Sequence, residues 1–158
     1  LAMWKINATT GEKEEQFDYN CFTVKQPKVS GGVQATALLG KNSISNLLIF
    51  PVARTPKQSE GVLYAVDKNT MEEKWQYHFK TESMGGYSWS SPIAIYDENG
   101  EAYIILCNTD GYMFLFDKAG NLLDKIGLGA PIEASPIAYN DTIVVGTRGK
   151  QTYAIKIK

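Results

Sequence analysis

One β-rich pattern recurs along this 158-residue chain. A repeat at this period restricts folding more than any other feature, because each unit must bury its faces against its neighbours. Three segments start on small residues and run into an apolar stretch: Ala35-Thr36-Ala37-Leu38-Leu39, Ser90-Ser91-Pro92-Ile93-Ala94 and Ala134-Ser135-Pro136-Ile137-Ala138. After a polar turn each meets a second β-rich run: Leu48-Ile49-Phe50, Tyr103-Ile104-Ile105-Leu106 and Thr142-Ile143-Val144-Val145. A third run alternates with period 2, in Val62 to Asp67, Tyr112 to Asp117 and Thr152 to Lys156. A fourth follows in two units, Lys74 to Phe79 and Leu122 to Ile126. Asn99-Gly100 and Asn140-Asp141 supply the first hairpin turn in two of the units.

With the four strands named A to D, the chain reads C-D, A-B-C-D, A-B-C-D, A-B-C. Trp4, Tyr64, Phe114 and Tyr153 hold equivalent positions, spaced 60, 50 and 39 residues apart. Four-stranded antiparallel units at this spacing predict an all-β chain: a β-propeller fragment of about three to three and a half blades. The expected divisions are strands C-D over 1–20, blades over 33–79 and 90–126, and three strands of a last blade over 134–158. Innermost strands want small residues where backbones converge, as at Ala35, Ser90 and Ala134, then Thr36, Ser91 and Ser135. Strand D is the exposed edge, and Glu14, Glu15, Lys74, Asp124 and Lys125 there discourage edge-to-edge association. Pro51 falls in a central strand, where it cannot donate to the ladder, so a bulge or early strand end is expected at that point. The chain opens and closes on a strand C, which suggests the C-terminal half of a ring of seven or eight blades. The remainder of the propeller, or a second copy of the chain, would complete it.

Composition excludes some functions. The 16 basic and 17 acidic residues are mixed, with no basic stripe for nucleic acid. The longest apolar runs, Leu47 to Ala53 and Tyr103 to Cys107, are far short of a membrane span. Leu1 lies inside what reads as a strand, so a targeting segment is expected to have been lost. Cys21 and Cys107 are 86 residues apart, without metal-site spacing, and read as two free thiols rather than a disulfide.

At the C-D turns the chain resembles the pyrroloquinoline-quinone-like β-propeller repeat of the tryptophan-docking type, whose signature is Ala-x-Asp-x-x-Thr-Gly-x-x-x-Trp. Ala65, Asp67, Thr70 and Trp75 match, with Met71 where glycine is usual. The first unit keeps Thr10 and Gly11 but has Asn7 for the aspartate and Glu15 for the tryptophan. The third keeps Leu115-Phe116-Asp117 and shortens its turn to Lys118-Ala119-Gly120, and the last ends at Ala154-Ile155-Lys156. The resemblance implies that Trp75 docks onto the neighbouring blade as a packing residue. It also implies a bacterial, exported protein, extracellular, on the cell surface or periplasmic. The family includes quinoprotein dehydrogenases and a lipoprotein of the outer-membrane assembly machine, so fold does not choose the function. The dehydrogenases use a vicinal disulfide and a calcium site; neither a Cys-Cys pair nor a calcium-loop cluster is visible here.

Catalytic constellations are missing as well. His78, the one histidine, lies on an edge strand beside Tyr77 and Phe79, and catalysis there would need further groups that the sequence does not name. Gly31-Gly32 and Gly85-Gly86 precede strand A rather than a helix and so read as loops, not a phosphate cradle. The acidic run Glu12 to Glu15, interrupted by Lys13, reads as a solvated strand edge. Topology gives the better candidate surface, the channel mouth formed by D-A and B-C loops. Gln34, Trp89 and Glu133 fall at equivalent positions just before strand A, Tyr87 lies in the glycine loop of Trp89, and the B-C loops add Arg54, Asn108, Asp110 and Arg148. These residues suit protein or glycan recognition. The alternative is structural, with Trp89 plugging an inter-blade gap and Arg148 pairing with Glu133. The expected function is a non-catalytic binding or scaffold propeller without a cofactor. The alternative is a degenerate or partial pyrroloquinoline-quinone-dependent oxidoreductase.

Overall fold

A computed structural model describes residues 2–19, 32–53, 60–80 and 86–157. They form four antiparallel meanders. The first pairs β1 (Ala2–Ile6) with β2 (Lys13–Asp18). The second runs β3 (Leu38–Leu39), β4 (Leu47–Val52), β5 (Glu60–Asp67) and β6 (Glu73–Lys80). The third runs β7 (Ile93–Tyr96), β8 (Ala102–Cys107), β9 (Tyr112–Phe116) and β10 (Leu122–Gly127). The fourth has β11 (Ile137–Tyr139), β12 (Thr142–Gly146) and β13 (Thr152–Lys156). Strand order within each sheet is sequential, as tight hairpins dictate. Among the described residues no helix is long and apolar enough to cross a membrane.

The innermost strands are shorter than their small-residue segments suggest, for an identifiable reason. Their first residues bond across to the next sheet rather than along their own ladder. The Thr36 amide donates to Ser91 Oγ, and the Ser91 amide donates to Ser135 Oγ, each at 2.9 Å. The expected small-residue column is thus a column of hydroxyl acceptors joining consecutive sheets. Pro51 overturns the expectation of a bulge, since β4 pairs with β5 in unbroken register through Pro51↔Leu63. The β3 ladder stops at Ile49. An antiparallel residue turns its N–H and C=O to the same neighbour, so proline here gives up a bond only on the side where β4 has no partner.

The C-D turns are built alike despite different sequences, the third being one residue shorter than the other two. Asn7, Asp67 and Asp117 each accept backbone amides on Oδ1, from Thr9 and Thr10, from Asn69 and Thr70, and from Ala119 and Asn121. Each turn ends on a left-handed residue, Gly11 (φ 75°), Met71 (φ 57°) or Gly120 (φ 83°). Its amide returns to the carbonyl of Asn7, Asp67 or Asp117. Asn7 can therefore replace aspartate in shaping the turn, because its side-chain oxygen accepts the same amides.

Both faces of the inner sheets are buried, in three cores stacked between consecutive sheets. Met3, Phe17 and Tyr19 pack on Phe50, Tyr64 and Val66. Ile49, Leu63 and Phe79 pack on Ile104, Phe114 and Phe116. Ile105, Met113 and Leu128 pack on Ile132, Ile143 and Val145. Edge-to-face ring pairs hold the middle core, with Tyr77–Phe116 centroids at 4.8 Å and Phe79–Phe114 at 5.0 Å. Each such pair contributes about 0.5–1.5 kcal/mol beyond its buried area.

Trp75 behaves as its signature implies. Its Nε1 donates to the Lys118 carbonyl at 3.1 Å, in the C-D turn of the next sheet. A Cβ on Gly120 would lie 2.6 Å from the indole, so the ring occupies the space a side chain would take. Between the first and second sheets the pieces are exchanged. Glu15 stands where the tryptophan would be, and Met71, in the glycine position of the turn, is 4% exposed and packs into the core. A left-handed methionine costs about 1 kcal/mol, offset here by its burial.

Trp75→Ala is expected to lower unfolding free energy by about 2–4 kcal/mol. Gly120→Ala should also destabilise, through the indole clash and its positive φ; urea denaturation measures both. The Asn69 and Thr70 amides hold the Asp67 carboxyl below its ordinary value. Its contribution is present above the unfolded pKa and lost as pH falls through the folded one. Asp67→Asn should therefore flatten the decline of the urea midpoint between about pH 4 and pH 2, while keeping the turn.

Candidate binding rim

The same hydrogen bond ties the B-C loop to the loop entering strand A in three successive sheets. The Ala53 amide donates to Gly32 O at 3.0 Å, Thr109 to Tyr87 O at 3.0 Å, and Arg148 to Pro131 O at 2.9 Å. Two residues beyond each acceptor lie Gln34, Trp89 and Glu133, held at one level by a repeated backbone clamp. Arg54 lies outside the described residues.

The candidate residues divide by exposure. Gln34 and Arg148 are exposed, and Trp89, Asp110 and Glu133 are half-buried. Tyr87 is only 9% exposed and Asn108 is fully buried, so these two brace the loops from beneath. The Tyr87 carbonyl also accepts from Thr109 Oγ1 at 3.0 Å, and the Tyr87 ring lies 5.2 Å from that of Trp89. Asn108 Oδ1 accepts the Tyr112 amide at 2.9 Å, and its carbonyl accepts the Gly111 and Ile132 amides. Arg148 Nη1 bonds Glu133 Oε1 at 2.9 Å, the pairing the structural alternative foresaw. With the Arg148 side chain 66% exposed, the pair contributes at most about 1 kcal/mol.

Three supporting residues escaped the sequence reading. Gly61 lets β5 pass beneath the rim loop, since a Cβ there would sit 2.8 Å from Tyr87 Cα. Gly111 does the same beside Ala130, where a Cβ would meet a carbonyl oxygen at 2.6 Å. Ser88 Oγ lies 2.7 Å from the Cys107 carbonyl, to which it donates. Gly111 had a local signal in Asn108-Thr109-Asp110-Gly111; Gly61 had none, because the Tyr87 loop that approaches it is distant in sequence.

The chain has two cysteines, at 21 and 107, and so no vicinal pair. Among the described residues no three His, Cys, Asp or Glu converge to hold a metal ion. Cys107 is a free thiol, fully buried, and burial pushes its pKa up to about 12, so it is not a nucleophile at neutral pH. Cys21 lies outside the described residues.

Comparison with solved structures agrees with the strand trace. BamB from Moraxella catarrhalis superposes over 96% of this chain with a TM-score of 0.64 at 16% identity. The fold is a β-propeller of the pyrroloquinoline-quinone-like type. This chain spans 38% of that BamB chain, well under half its length. A europium-containing methanol dehydrogenase matches over 69% of the chain and 20% of its own, with a TM-score of 0.40 at 19% identity. A computationally designed protein, Ika8, matches over 96% of the chain and 51% of its own, with a TM-score of 0.39 at 10% identity. No family model and no curated protein matches the sequence.

Arg148→Ala should change unfolding free energy by less than about 1 kcal/mol, read by urea denaturation. Iodoacetamide should leave the Cys107 peptide unlabelled in native protein and label it after unfolding, as peptide mass spectrometry would show.

Proposed function

We propose that this chain is an arc of a non-catalytic binding or scaffold propeller that recognises a protein partner on its channel-mouth face. The observation carrying this reading is the repeated loop clamp, which presents Gln34, Trp89 and Glu133 at one level in three sheets. Asp110 and Arg148 flank them. A rigid rim with a half-buried tryptophan, an arginine and carboxylates has the composition of a protein interface. Export to the periplasm or cell surface is proposed from the repeat type.

The ring is completed by further blades, supplied by the remainder of the propeller or by a second copy. The end faces support this reading. Ile137 and Tyr139 are 66% and 77% exposed, whereas their counterparts Ile93 and Ile95 pack against the fourth sheet. Trp4 and Ile6 are 59% and 48% exposed, whereas their counterparts Tyr64 and Val66 are buried. The two ends thus carry the two halves of the sheet-to-sheet contact.

A photo-crosslinking amino acid placed at Arg148 should capture a protein partner that the same label at Lys74, on an outer strand, does not. Trp89→Ala should reduce that capture at least tenfold with the circular dichroism unchanged. Equal capture from both positions, or capture of glycan alone, would sink the protein-interface reading. Saturable pyrroloquinoline quinone and calcium binding with dye reduction would replace it with the oxidoreductase reading.

A further inference from the structure

Asn99-Gly100 is the one Asn-Gly pair in the chain, and it forms the tip of the hairpin between β7 and β8. Such a pair carries a chemistry of its own. The side-chain carbonyl carbon of an asparagine can close a five-membered ring on the next residue's backbone nitrogen, and only glycine lets that nitrogen be approached without a Cβ in the way. The other described asparagines precede alanine, serine, leucine, threonine or aspartate. Asn99 is exposed, so water and hydroxide reach it. The turn, however, ties up the nucleophile. The Gly100 amide donates to the Asp97 carbonyl at 3.0 Å, which covers its proton. Asp97 Oδ1 accepts the Asn99 and Glu101 amides at 2.9 and 2.8 Å, one on each side of Gly100. The same turn is where two sheets are clasped. The Ser43 amide, in the short helical turn Asn42–Ile44 before β4, donates to the Gly100 carbonyl at 3.3 Å. Ser43 Oγ accepts the Ala102 amide at 2.9 Å. Asn42 lies against Gly100, where a Cβ would sit 3.4 Å from Asn42 Cβ.

We propose that Asn99 is a site of self-catalysed deamidation, restrained by Asp97, whose isoaspartyl product releases the clasp between the second and third sheets. Local opening of the turn uncovers the Gly100 nitrogen. That nitrogen bonds to Asn99 Cγ, the Cγ–Nδ2 bond breaks, and the departing nitrogen takes up the amide proton and leaves as ammonia. Water then opens the cyclic imide. Cleavage between Cγ and the Gly100 nitrogen gives aspartate, and cleavage between the main-chain carbonyl carbon and that nitrogen gives isoaspartate. The net change is loss of ammonia and gain of water, with nothing oxidised or reduced. Isoaspartate adds one carbon to the backbone ahead of Gly100, which carries the Gly100 carbonyl away from the Ser43 amide. Either product also adds a carboxylate beside Asp97, Glu98 and Glu101, where like charges repel. Asp97 is the restraint because its carboxylate pins the peptide units on both sides of the reacting nitrogen.

The full chain is aged at mildly alkaline pH, folded and in urea, and its asparagine peptides are followed by chromatography and mass spectrometry. In the folded chain Asn99 should convert ahead of every other asparagine, and in urea it should convert at least tenfold faster. Asp97→Ala should speed conversion in the folded chain at least fivefold, whereas Asp97→Asn, which keeps an acceptor oxygen, should stay near the parent rate. The isoaspartyl fraction should melt at a lower temperature than unmodified protein, and Asn99→Ser should age without that loss. If Asp97→Ala does not fold, the folded and urea-unfolded rates of the parent chain decide whether the turn restrains the reaction. No conversion at Asn99 in the folded chain, equal rates folded and unfolded, a folded Asp97→Ala variant at the parent rate, or an isoaspartyl fraction that melts with the parent would overturn the proposal.

Discussion

A four-stranded sheet has two faces, and in this chain the inner sheets bury both. That requirement governs the rest of the structure. A sandwiched sheet cannot shed its apolar residues to one side, so β4, β5, β8 and β9 are apolar on both faces rather than alternating with polar residues. Buried on both sides, each strand must also have its register fixed, because a one-residue slip would exchange the neighbour each side chain meets. The hairpins and Asx turns at the strand ends are the local devices that hold that register.

Sheet-to-sheet packing also explains how the repeat tolerates sequence drift. The three interfaces solve the same volume problem with different residues. One uses Met71 in place of a tryptophan, one uses Trp75 over Gly120, and the third packs aliphatic side chains such as Ile126, Leu128 and Ile155. Departures from a repeat signature therefore have to be read in pairs across the interface. Met71 looks like a defect in its own turn, at φ 57°, and becomes intelligible only beside Glu15.

Much of this was legible in the sequence because local chemistry and global fold agree. The strand runs and the turns at Asn99-Gly100 and Asn140-Asp141 follow from residue types at fixed offsets, and the docking role of Trp75 was implied by the resemblance of its turn to the repeat signature. Pro51 misled because its tolerance depends on how far the adjacent strand β3 extends, which no local pattern encodes. The rim was half legible. Equivalence of Gln34, Trp89 and Glu133 came from counting, but the burial of Tyr87 and Asn108 depends on loops from different parts of the chain meeting. Gly61 shows the same limit, since its lack of a side chain matters only because Tyr87 passes over it.

The hydroxyl contacts of the innermost strands have a further consequence. The Thr36 amide gives to Ser91, and the Ser91 amide gives to Ser135, so the donors all point the same way around the arc. Such a relay is polar: each sheet has a giving side and a receiving side at its inner edge. It works as a radial ruler, because a sheet sliding outward would move its hydroxyl beyond the reach of the amide before it. Slip between neighbouring sheets is thereby resisted at the inner wall, where the hydroxyls of Ser91 and Ser135 each hold the amide of the sheet before.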